Sequence, residues 1–165
     1  MTSPRGSVGL HRLGEDDWEA LRTLRRRALG DAPDAFSSTL ADWSGAGDTE
    51  ARWRGRLAAV PFNLEARLDG APAGMVGATY PADGEVDLLS MWVAPEARGR
   101  GVGDALVDAV IGWARSERAD RVGLDVREGN APAARLYERH GFVDAGPSPA
   151  GGPGGPPERR MVRRL

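Results

Sequence analysis

Met91-Trp92-Val93-Ala94-Pro95-Glu96-Ala97-Arg98-Gly99-Arg100-Gly101-Val102-Gly103-Asp104-Ala105-Leu106 joins an extended run to a helix through a loop rich in glycine. Before the loop, Glu85 to Val93 reads as a strand, and two-residue alternation puts Asp87, Leu89, Met91 and Val93 on one face. After it, Val102, Ala105, Leu106, Ala109, Val110 and Trp113 form a helical stripe. Glycines here let the backbone approach a ligand closely and adopt conformations a Cβ would block. N–H groups at the start of a helix then bind phosphate or pyrophosphate through hydrogen bonds and the helix dipole. Arg98 and Arg100 add positive charge beside them.

Two familiar phosphate loops fit worse. A P-loop requires Gly-Lys-Ser/Thr, and the chain has no Lys. In a dinucleotide fingerprint counted from Gly99, Asp104 takes the last glycine's place, and the preceding strand does not open a βαβ unit. Taken alone, the loop also fits a turn that only caps a helix.

Outward from this segment, the order is that of a mixed α/β domain. Ser7 to Arg12 reads as a strand, and a helix from Trp18 through Leu21, Leu24, Arg25 and Ala28 stops at Gly30. A polar, irregular stretch from Asp31 to Asp48 leads to a second helix, Thr49 to Val60, capped by Thr49. Strands Phe62 to Leu68 and Ala73 to Tyr80 flank the turn signal Asp69-Gly70, and Asp83-Gly84 precedes the Glu85 strand. Downstream lie a strand, Arg121 to Arg127, and a short helix, Asn130 to His140, with Asn130 as cap and Gly141 as stop. Phe142 and Val143 resume as a strand. Ala145 to Pro157 is too rich in Gly and Pro for a regular element, and Glu158 to Leu165 reads as a last strand. The Arg25-Arg26-Arg27 run reads as a solvated helix face.

Composition narrows the chemistry. With 165 residues the chain fits one domain, residues 1–165, and 41% hydrophobic residues suffice for a core. The absence of Cys excludes disulfides, Cys-ligated zinc and thiol nucleophiles, and two His (His11 and His140) give little from which to build a metal site or a catalytic triad. No metal is expected. A net charge of −2 gives no general bias toward nucleic acid. No apolar run is long enough to span a membrane, and Met1 to Val8 lacks a signal-peptide core, so a cytoplasmic protein is expected.

The sequence resembles the GNAT superfamily of N-acetyltransferases. Arg98, Gly101 and Gly103 match its cofactor motif, Arg/Gln-x-x-Gly-x-Gly/Ala, and Val93-Ala94-Pro95 matches the Val-x-Pro before it. Asn130, Ala133, Tyr137, Gly141 and Phe142 match Asn-x-x-Ala-x-x-x-Tyr followed by Gly-Phe. The resemblance is clear from Leu88 to Phe142 and weaker toward both ends. It implies a single mixed, mostly antiparallel sheet flanked by helices, the acyl-CoA N-acyltransferase fold. It also implies transfer of the acetyl group of acetyl-CoA to a primary amine by direct attack in a ternary complex. The fourth strand would part from the fifth to admit the pantetheine arm. Cofactor contacts are then expected at Met91, Trp92, Val93, Arg98, Gly99, Arg100, Gly101, Val102, Gly103, Asp104 and Asn130. Tyr137 matches the family's general acid, and Asp87 is the expected base, with Glu85 or a proton-relaying water as the alternatives. Phe36, Trp43 and the Gly/Pro-rich segment fall in regions that line the family's acceptor pocket. A small amine rather than a protein is the expected acceptor; the two acidic residues would suit a cationic one, and a homodimer is compatible with the family. The alternative reading is a non-catalytic module of the same fold that senses acyl-CoA.

Overall fold

The computed structural model describes residues 6–149 and 154–165. Its elements are β1 (Val8–Arg12), α1 (Trp18–Asp31), α2 (Glu50–Ala59), β2 (Phe62–Leu68), β3 (Ala71–Ala78), β4 (Glu85–Val93), α3 (Val102–Ser116), β5 (Arg121–Arg127), α4 (Ala131–Arg139), β6 (Val143–Pro147) and β7 (Glu158–Arg164). Short 3-10 turns fill the stretch between α1 and α2. The strands form a mixed sheet in the order β1-β2-β3-β4-β5-β7-β6, antiparallel in each pairing whose register is resolved except β4 with β5. This is the expected fold class.

The chain folds as two compact units: Met1–Gly77 with Ser90–Leu106, and Ala78–Leu89 with Val107–Leu165. Strand β4 and helix α3 each pass from one into the other.

In the first unit, β1 pairs with β2 over its full length. The β2–β3 turn puts Asp69 at φ 51° and Gly70 at φ 84°, the two left-handed residues that suit a tight hairpin. Thr49 caps α2, its hydroxyl accepting from the Arg52 N–H at 3.3 Å. The core includes Leu24, Leu29, Trp53, Ala66, Val102 and Leu106. Two expectations are corrected here. Helix α1 runs through Gly30 and ends at Asp31, since a helical glycine is tolerated when its neighbours are packed. The Arg25-Arg26-Arg27 run is only partly a solvated face: Arg27 is exposed, but Arg25 is 3% exposed and lies in the buried stripe with Leu21, Leu24, Ala28 and Leu29.

In the second unit, the start of β4 pairs with β5, and all seven residues of β5 pair with β7, which in turn pairs with β6. Val86, Val107, Val110, Val122, Leu124 and Phe142 are buried. Strand β6 extends to Pro147, beyond the expected stop, because its pairing with β7 tolerates a register shift between Asp144 and Pro147. Residues 150–153 of the Gly/Pro-rich segment lie outside the described residues.

Candidate active site

The glycine loop has the backbone its sequence requires. Gly99 (φ 74°) and Gly101 (φ 88°) are left-handed, a conformation costly for residues bearing a Cβ. A Cβ at either would meet nothing within 4 Å, so the two glycines border open space. The Ala105 N–H donates back to Gly101 O at 3.1 Å as α3 begins. N–H groups at the start of a helix are the ones that meet an anion, through hydrogen bonds and the helix dipole. Asp104 lies in this first turn.

One carboxylate that sequence reasoning missed anchors the loop. Asp31, the last residue of α1, accepts from Trp92 Nε1 at 3.0 Å and from Arg98 Nη2 at 2.6 Å. Arg98 Nε also donates to Val93 O at 3.1 Å. The side chains of Trp92 and Arg98 are thus spent on fixing the end of β4 and the start of the loop. The hydrogen bond from Trp92, then the guanidinium of Arg98, hold the Asp31 carboxyl below its ordinary range. No local signal marks Asp31, because its partners are 61 and 67 residues away. Among the described residues, Arg100 makes a 3.4 Å pair with Asp69, with both side chains substantially exposed.

Strand β4 is irregular where the site is expected. Between the Thr79–Asp87 and Ala73–Ala94 hydrogen bonds, β4 uses one residue more than β3. Ser90, at φ 55°, lies within this bulge. The alternation expected to put Asp87, Leu89, Met91 and Val93 on one face assumes an unbroken strand, and the bulge interrupts it. The β4–β5 ladder covers only Glu85 to Asp87 against Arg121 to Gly123, whereas β5 continues to Arg127.

The second unit carries the remaining expected residues. Both acidic candidates bond to Arg160, which also lies 3.4 Å from Asp125. Arg121 Nε donates to Glu85 at 2.6 Å. Burial pushes the Glu85 carboxyl up, but the two arginines outweigh it and bring the value below the ordinary range. Tyr137 is buried, with its ring 5.8 Å from that of Phe142 in an edge-on arrangement. Burial raises its phenol, so it is protonated at neutral pH. Asn130 caps α4, its Oδ1 accepting from the Ala133 N–H at 3.3 Å. Of the two aromatic residues expected at the acceptor pocket, Trp43 is buried and packs 4.4 Å from Trp53, while Phe36 is half-buried.

Comparison with known proteins gives one consistent family. The Acetyltransferase (GNAT) family profile matches residues 18–142. A mycothiol acetyltransferase of Acidothermus cellulolyticus is 37% identical over 145 residues, covering 79% of this chain and 42% of that protein. The chain therefore spans less than half the length of this relative. An acetyltransferase of the GNAT family from Streptococcus pneumoniae superposes with a TM-score of 0.78 at 22% identity, over 96% of this chain and 100% of that one. An N-acetyltransferase from Thermoplasma acidophilum, solved in complex with coenzyme A, superposes with a TM-score of 0.73 at 16% identity, over 96% of this chain and 99% of that one.

Proposed function

The chain belongs to the acetyltransferase (GNAT) family, and from that premise we propose that it transfers the acetyl group of acetyl-CoA directly to the primary amine of a small molecule. The observation that carries this reading is the pair of left-handed glycines, Gly99 and Gly101, bordering open space at the start of α3. The family match runs through both compact units, which supports reading residues 1–165 as one domain. A cytoplasmic location belongs to the same proposal.

Acetyl-CoA supplies an acetyl group already activated as a thioester. The N–H groups of Gly99, Arg100, Gly101, Val102 and Gly103 would hold its pyrophosphate, beside Asp104 in the first turn of α3. The backbone of Met91, Trp92 and Val93 would receive the pantetheine arm as an added strand, and Asn130 would contact it. Three features support this arrangement. The β4–β5 ladder is short, Trp92 and Arg98 are anchored through their side chains, and the glycine loop is open. A backbone N–H between Met91 and Val93 would polarise the thioester carbonyl.

The attacking amine must be neutral, so a base must take its proton. Asp87 is the proposed base. Glu85 is held by two arginines, which lower its carboxyl, whereas the Asp87 side chain is 49% exposed and, among the described residues, bonds to Arg160 alone. The Tyr137 hydroxyl is the proposed donor to the departing sulfur, and burial keeps it protonated for that role. No acyl-enzyme is part of the mechanism. There is no Cys, and the Ser90 hydroxyl is held by two guanidinium groups rather than by a base.

The test is incubation of the protein with acetyl-CoA and a panel of primary amines, following thiol release and the mass of the amine product. Equal amounts of free CoA and acetylated amine are expected. Tight acetyl-CoA binding with no transfer to any amine would instead support the sensing module.

A further inference from the structure

Arg25 on α1 and Arg56 on α2 converge on one neutral atom. Arg25 Nη1 lies 3.2 Å and Arg56 Nη2 2.8 Å from Ser90 Oγ. Neither arginine has a carboxylate partner among the described residues. Arg25 is 3% exposed, and its Nε is buried without a hydrogen-bond partner. The faces of Trp43 and Phe36 lie 5.4 and 5.9 Å from its guanidinium carbon. The buried carboxylate of Glu65 pairs with Arg67 instead. Burial of Arg25, and then repulsion from Arg56 and Arg52, bring its value down to about 10, which leaves it charged at neutral pH.

A buried cation and a half-buried one sharing a single hydroxyl are costly unless an anion joins them. The residues around them form a small cavity of ≈ 10 Å³, about the room of one water. Leu21, Asn63 and Met75 also line it, and no acidic side chain does. Ser90 Oγ accepts from both arginines, which leaves its own proton and the remaining guanidinium N–H groups as the donors of the cavity these residues line. A carboxylate offers only acceptors and suits a guanidinium fork. A cavity this small seats one carboxylate oxygen and leaves the rest of the molecule outside.

Ser90 immediately precedes Met91, the start of the backbone segment proposed to hold the thioester. We propose that Arg25, Arg56 and Ser90 bind the carboxylate of the acceptor, which is therefore an α-amino acid or a similar amine bearing a carboxylate close to its nitrogen. A single carbon separates the two groups in an α-amino acid, so anchoring one at Ser90 brings the other to the neighbouring thioester. The inference rests on the acetyl-transfer reading. It adds a carboxylate to the cationic acceptor that Asp87 and Glu85 would suit.

The experiment uses the full chain, acetyl-CoA and the standard L-amino acids, each beside its own carboxamide. Binding of acetyl-CoA is measured separately by calorimetry. At least about a tenfold higher kcat/KM for acid over amide is expected for the accepted side chains. Arg56→Gln and Ser90→Ala should each bring that ratio toward one by raising the KM of the acid, with acetyl-CoA affinity retained. Acetyl-CoA binding together with equal use of acid and amide, or with transfer only to amines lacking a carboxylate, overturns the inference. Failure of acetyl-CoA to bind overturns the acetyl-transfer reading and this inference with it.

Discussion

Asp31 Oδ2 and Arg98 Nη2 lie 2.6 Å apart and tie the end of helix α1 to the first residue of the glycine loop. Removing this carboxylate also frees Trp92 Nε1, so Asp31→Ala should loosen β4 and the loop together. The half-exposed Arg98 discounts the ion pair, and a stability loss of about 1 kcal/mol is expected in urea titration. The larger effect should fall on acetyl-CoA, with affinity lower by roughly tenfold because the loop is no longer held in its binding form.

The same carboxylate sets a pH dependence. Its folded value is depressed by Trp92 and Arg98, so its contribution to stability is complete above the unfolded value of about 3.9. It is lost as the pH falls through the lower folded value. Urea midpoints measured from pH 6 down to pH 2 should show a fall in the wild type below pH 4 that is smaller in Asp31→Ala. Equal slopes would mean that Asp31 is not coupled to folding.

Gly101 needs its φ of 88°, and the space beside it is open. Gly101→Val should therefore cost stability of about 1–2 kcal/mol from backbone strain rather than from a clash. It should also reduce acetyl-CoA affinity by tenfold or more, since a side chain would enter the space proposed for pyrophosphate. Thermal melting and titration of the same variant separate the two effects.

Much of the fold is legible from local pattern. The limits of β4 and β5 agree with the sequence reading because each is bounded by turn residues and carries an apolar run. Thr49 and Asn130 were recognisable as caps from type and position alone. The burial of Arg25 was not legible, although its place in the Leu21, Leu24, Ala28 stripe was, because residue type argued for solvent. Its partner Ser90 is 65 residues away. Asp31 was hidden for the same reason, and the bulge at Ser90 because nothing in its sequence requires a left-handed serine. Arg160 reaches Glu85 and Asp87 across 75 and 73 residues, so the engagement of the acidic candidates emerged only with the fold.

The roles of the two carboxylates separate by substitution. Asp87→Asn should lower kcat by about 10²-fold at pH 7, as expected for loss of a general base. Glu85→Gln should act on stability more than on turnover, because Glu85 is the ionised partner of Arg121 and Arg160. A larger kcat loss in Glu85→Gln than in Asp87→Asn would exchange the assignments.

Tyr137→Phe keeps the ring against Phe142 and removes only the hydroxyl. A fall in kcat of roughly 10²-fold with unchanged acetyl-CoA affinity is expected for a lost proton donor. Unchanged turnover would leave Tyr137 a packing residue.

Binding of acetyl-CoA by the loop from Arg98 to Gly103 is tested by calorimetric titration of the protein with acetyl-CoA, CoA, NAD and ATP in turn. Saturable 1:1 binding of acetyl-CoA and CoA is expected, weakened in Gly101→Val, with none of NAD or ATP at the same concentrations. No heat with acetyl-CoA at millimolar concentration, or equal binding of NAD or ATP, would contradict it.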